Sequence, residues 1–105
     1  MMSAQQGSAS SQHNIALMYR DGKGTKINSS EALEWFIKSA QQGHGNAAYF
    51  AGKMYYDGEG TNKDLHKAKE YLLLATNKGD EDAKELLKFV NAEIKKSKKV
   101  ADTKT

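Results

Sequence analysis

The sequence predicts an all-α fold: a right-handed α/α solenoid of about five helices, stacked as successive hairpins. Three observations carry this. Met18-Tyr19-Arg20-Asp21-Gly22-Lys23-Gly24 recurs as Met54-Tyr55-Tyr56-Asp57-Gly58-Glu59-Gly60, 36 residues later (54 − 18). Gly43 and Gly79 hold the same offset, and Ser3-Ala4-Gln5-Gln6-Gly7 returns letter for letter as Ser39-Ala40-Gln41-Gln42-Gly43. Between these glycines the apolar residues fall three and four apart, the spacing of one helix face. A fixed period of this length marks stacked units that bury a core only by leaning on one another.

Taken in order, Met1 to Gly7 reads as the last turn of a helix, because its twin at 39–43 closes a full unit. Ser8 or Ser10 caps a first helix reaching Arg20, with Ser11, Ile15, Met18 and Tyr19 on one face. Asp21-Gly22-Lys23-Gly24 stops it, since glycine enters positive φ without steric cost. Ser29 and Ser30 open a second helix, whose Ala32, Leu33, Trp35, Phe36 and Ala40 face inward until Gly43 ends it. The second unit repeats the plan. Asn46 caps a helix holding Ala47, Phe50, Ala51, Met54 and Tyr55; Asp64 caps one holding Leu65, Ala68, Tyr71, Leu72 and Ala75. Asp80 caps a last helix with Glu81 and Asp82 in the first turn, where the helix dipole favours acids. Its stripe is Ala83, Leu86, Leu87, Val90 and Ile94, and it is expected to fray after Ile94, where lysines dominate. The repeat domain therefore spans 1–94, with units at about 8–43 and 44–79 and a half-unit cap at 80–94. Residues 95–105 form a basic tail expected to be disordered.

Two register features have a packing reason. Ala16 matches Gly52 and Ala32 matches Ala68, each where the two helices of a pair approach closely and a larger side chain would overpack the contact. Tyr19 and Tyr55 precede the glycine loops, where the ring fills the core and the hydroxyl can reach a loop carbonyl.

Composition narrows the function. The chain has 105 residues, 38% of them hydrophobic, which suits a thin stack better than a thick sandwich. The absence of Cys excludes disulfide staples and thiolate metal sites, and points to a reducing compartment. No apolar run approaches the roughly 20 residues of a membrane span. The first residues lack the basic and apolar regions of a signal peptide, so a cytoplasmic chain is expected, with a secreted effector as the alternative. The net charge of +3 is a tail property. Residues 1–87 carry ten Lys or Arg against eleven Asp or Glu, whereas 88–105 carry six Lys against Glu93 and Asp102. A nucleic-acid binder would spread basic residues along one face with aromatics between them, so no nucleic-acid partner is expected.

With these residues in place, the chain resembles the Sel1-like repeat family, a relative of the tetratricopeptide repeats. Ala47, Ala51-Gly52, Tyr55, Gly58-Glu59-Gly60, Asp64, Lys67-Ala68, Tyr71, Ala75 and Gly79 fill the family pattern in the second unit. Ile15-Ala16, Tyr19, Gly22-Lys23-Gly24, Glu31-Ala32, Trp35, Ala40 and Gly43 do so in the first, with Ser11 where the pattern wants Ala. The third unit supplies Ala83 and Leu87. The period also differs from the roughly 34 residues of a tetratricopeptide unit. The resemblance implies a non-enzymatic adaptor or scaffold, with roles that include bacterial signalling and host–pathogen assemblies. A small neutralising protein, of the immunity or inhibitor kind, is the alternative within binding. The alternative from another class is a cell-wall or β-lactam hydrolase, which no residue here supports.

Other chemistry finds no footing in the sequence. An EF-hand begun at Asp57 would place Ala68 at its twelfth position, where a Glu is required. His13, His44 and His66 stand apart with no ligand at metal spacing, and His13 is expected on the exposed stripe of the first helix. No nucleophile elbow or Ser-His-Asp order can be assembled. Catalytic, cofactor and metal residues are therefore not expected. Solenoids bind on the concave surface lined by the first helix of each pair. The non-core residues there are His13, Leu17 and Arg20 in unit one, Tyr49, Lys53 and Tyr56 in unit two, and Glu85 and Phe89 in the cap. The expected partner is a protein or peptide and not a small-molecule substrate; a homodimer through poorly capped ends is the other assembly to test.

Overall fold

A computed structural model describes the backbone of residues 8–104 and the side chains through Ser97, so the expected helix turn at residues 1–7 lies outside the described residues. Five helices follow in order: α1 Ala9–Asp21, α2 Ser29–Gln41, α3 Gly45–Asp57, α4 Leu65–Asn77 and α5 Glu81–Lys104. No strand occurs among the described residues. Each helix packs chiefly on its neighbours in sequence, and the whole measures 56 × 29 × 19 Å. This is the α/α solenoid that the period requires.

The first helix of each pair ends on the same device. Gly22 and Gly58 adopt φ of 77° and 73° and donate their N–H groups to the carbonyls of Met18 and Met54. Asn28 and Asp64 then donate theirs to the carbonyls of Tyr19 and Tyr55, at 2.8 and 2.9 Å. Among the described residues the tie between each tyrosine and its loop is thus a backbone carbonyl and not the expected hydroxyl. The second loop also touches the previous unit. Ser29 Oγ donates to Glu59 Oε2 at 3.3 Å, and a Cβ on Gly60 would lie 2.6 Å from the Ser29 carbonyl group.

Helix starts follow local side chains, with one correction. Ser8, Asp64 and Asp80 each accept the N–H three residues on, as expected. Asn28 caps α2 by accepting the Glu31 N–H at 3.1 Å; Ser29, already helical, turns its hydroxyl to Glu59 instead. The N-cap of α3 is His44 and not Asn46, and its side chain makes no cap bond. Gly43, at φ 90°, ends α2 and turns the chain so promptly that Gly45 is already the first residue of α3.

The core is lean. Ala16, Ala32, Ala47, Ala51, Ala68 and Ala75 are fully buried between a few larger groups, chiefly Phe36, Met54, Leu72 and Val90. Gly52 shows why small residues recur, since a Cβ there would lie 2.7 Å from Leu72 Cγ and 3.1 Å from the Ala68 carbonyl oxygen. The buried face of α1 differs from the expectation. Gln12 and Ala16 are its buried residues, while Ser11 is half-buried and Met18 is 44% exposed. Met54, 36 residues on, is only 2% exposed. Among the described residues the two helices differ in position: α3 packs between α2 and α4, whereas α1 packs chiefly on α2. Gln12 accepts a 2.7 Å hydrogen bond from Gln42 Nε2, and Ser39 Oγ donates to the Ala9 carbonyl at 2.6 Å, so α2 ends tied to the start of α1.

The last helix runs to Lys104, past the Ile94 end that the lysines suggested. Ile94 stands 36 residues after Gly58, the left-handed terminator of α3. A β-branched residue does not enter that region readily, and the Lys and Ala that follow are good helix formers. The outward face of α5 is also changed: Lys84, Lys88 and Asn91 replace Ala48, Gly52 and Tyr55, and all three are exposed.

Candidate functional site

The first helices of successive units, α1, α3 and α5, form a row, the inner row of the expected concave face, joined directly by side chains. Arg20 of α1 lays its guanidinium 4.7 Å from the Phe50 ring of α3, and Tyr56 of α3 donates to Glu93 Oε2 of α5. Lys63, from the loop before α4, adds a 3.3 Å ion pair to Glu93 and covers the Tyr56 ring at 5.2 Å. The eight residues expected on this face fall into three groups around these bridges.

The first group gathers round Phe50. His13 contacts Phe36, Phe50 and His44 with ring centroids 5.5, 5.7 and 4.8 Å away, and Tyr49 meets Phe50 edge-on at 5.4 Å. His13 is therefore half-buried in a ring cluster and not on an exposed stripe, and His13 and His44 are neighbours although 31 residues separate them (44 − 13). Phe50, expected on the core side of its helix, is half-buried against the core and centres this cluster. Its signal was an aromatic ring at the position that Asn14 fills in unit one. Burial, then His44 and Arg20, holds the His13 imidazole below its ordinary value. Leu17, one turn along α1, is half-buried.

The second group is on α3. Tyr49 lines an open groove of about 580 Å³ with His44, Asn46, Phe50, Lys78, Asp80 and Asp82. Burial raises the Tyr49 phenol; nearby Lys53 opposes this, and Asp82, Asp80 and Asp57 reinforce it. Lys53 is exposed and pairs with Asp57 at 3.1 Å. Tyr56 lies two turns from Tyr49, and its hydrogen bond to Glu93 raises the phenol and lowers the carboxyl. The third group is on α5. Glu85 is exposed beside Lys88, and Phe89 is 61% exposed. The structure thus brings His13, Arg20 and Tyr49 together, and leaves Tyr56 and the α5 pair as separate stations along the row.

Among the described residues, no three or more His, Cys, Asp or Glu side chains lie close enough to hold a metal. No helix searched is long and apolar enough to cross a membrane. What the row offers is rings, aliphatic surface and charges of both signs, partly open to solvent.

A stack of α-hairpins with such an inner row defines the repeat class of α/α solenoids. The chain belongs to the Sel1 repeat family, whose model matches residues 9–44 and 45–80, and whose members generally serve as protein-interaction modules. Two solved structures are similar to it. A Sel1 repeat protein from Oxalobacter formigenes is 32% identical, with a TM-score of 0.78 over 81% of this chain and 64% of that one. The antigen c5321, described as protective and present in uropathogenic Escherichia coli strains, displays an SLR fold; it is 30% identical, with a TM-score of 0.74 over 76% of this chain. This chain spans only 17% of that protein. No curated protein matches the sequence.

Proposed function

We propose that the chain is a non-enzymatic adaptor that captures a protein or peptide along its inner row, using His13, Leu17, Arg20, Tyr49, Lys53, Tyr56, Glu85 and Phe89. One observation carries the reading. Phe89 is 61% exposed, and it stands at the register of Lys53 and Leu17 in the preceding units. A large ring left in water on α5 adds nothing to the core, whereas aromatic anchors dominate the energetics of interfaces.

The test is affinity capture from cells with the immobilised chain, followed by variants against whatever it retains. Replacing Tyr49 and Phe89 together by Ser should weaken retention at least tenfold, as two anchors worth about 1–3 kcal/mol each imply. Helicity by circular dichroism should stay unchanged. Full retention by a folded double variant would remove the inner row from consideration.

A further inference from the structure

The His13–His44 pair joins the two units with chemistry that simple docking does not need. His13 of α1 is boxed by Phe36 of α2, Phe50 of α3 and His44 at the start of α3, and its Nδ1 is buried with no hydrogen-bond partner among the described residues. The charges around the box are known from each element. Arg20 of α1 lies over Phe50 and pairs with Asp21 at 3.2 Å; α2 presents the uncharged Phe36. The groove that His44 lines holds Lys78, which follows α4, and Asp80 and Asp82 at the start of α5. The charges that act on His13 itself are His44 and Arg20, and both oppose a proton. A neutral imidazole suits this box as a small aromatic ring. An imidazolium would carry a desolvated charge beside cations, with a buried N–H lacking an acceptor.

We propose that the histidine pair is an acid-sensitive latch between the units: a proton on His13 opens the seam between α1 and the start of α3 and so disarms the inner row. The disarming rests on the adaptor reading; the latch itself does not. The sign follows from linkage. An unfolded imidazole takes its proton near about pH 6.5, while the folded ring resists it, so the unfolded chain binds more protons below that point. The stability is complete above about pH 6.5 and is lost as the pH falls.

The test uses the full chain and no partner, so its outcome is independent of whether the inner row binds anything. Thermal midpoints are compared at about pH 7.5 and about pH 5 for the wild type, His13→Phe and His13→Phe/His44→Asn. His13→Phe keeps a ring in the box, and His44→Asn supplies a cap oxygen. The wild-type midpoint should drop by about 5 °C or more, and at least half of that drop should vanish in His13→Phe. Amide hydrogen exchange, corrected for its chemical pH dependence, should accelerate in α1 and the first turn of α3 and not in α4. An equal drop in the variants, or acceleration spread evenly over all five helices, would overturn the latch. Should His13→Phe not fold, wild-type NMR decides: the His13 ring must take its proton in the range where the α1 amides lose protection, and any other range refutes it.

Discussion

Gly24 and Gly60 have the same dihedral state and different surroundings, which isolates a contact from a conformation. Both adopt φ near 75°, at 75° and 76°. A Cβ on Gly24 would meet only Met18 Cε at 3.9 Å, whereas one on Gly60 would strike the Ser29 and Ser30 backbone at 2.6–2.9 Å. Gly24→Ala should therefore cost the left-handed penalty alone, about 1–2 kcal/mol. Gly60→Ala should cost that and a further 1–3 kcal/mol, roughly, for forcing the second loop off unit one. Urea unfolding of both variants checks the difference, and equal costs would show that the loop does not bear on α2. The repeated glycines were plain in the sequence. The backbone pressed against only one of them was not, because it belongs to a different unit.

At the scale of single helices, the sequence was read well where the signal is local. Asp64 and Asp80 cap as their spacing implies, and Asp64→Ala should lower stability by about 1 kcal/mol through the freed Lys67 N–H. That loss would appear as faster hydrogen exchange in the first turn of α4. Readings failed where the answer depends on the neighbouring unit. Met18 looked like core because its spacing is right, but whether it is covered depends on what packs against α1. His13 and His44 looked solitary because only the stacking brings α1 against the start of α3. The length of α5 was legible after all, in the Ile94 that replaces a terminating glycine, and the lysines drew attention away from it. Glu93 is another product of stacking, since it meets Tyr56 across two helices. Glu93→Ala should bring the Tyr56 phenol back down toward its ordinary value. A spectrophotometric tyrosine titration that does not move would show that the hydrogen bond has no weight in solution.

For the whole molecule, the question is what face the stack presents beyond its second full unit. In a solenoid each unit covers the next, so a helix face with nothing packed on it among the described residues must be one that water accepts. Here α5 does this with Lys84, Lys88 and Asn91, at the positions where α3 uses Ala48, Gly52 and Tyr55 to receive α4. Tyr55 stacks on Tyr71 of α4 at 5.8 Å, and Gly52 lets Leu72 approach; the corresponding α5 residues are exposed. Restoring the inner-unit character with Lys84→Ala, Lys88→Ala and Asn91→Tyr should leave the fold intact, since Ala is the better helix former. It should also turn a charged end into an apolar patch beside Leu87 and Val90. Such a face lacks the charges that keep exposed surfaces from associating, so the variant should self-associate with rising concentration while the parent does so far less. Light-scattering mass over a concentration series separates the outcomes. Identical curves would mean that the three polar residues are incidental to keeping copies apart, and that the length and charge of the α5 extension do so instead.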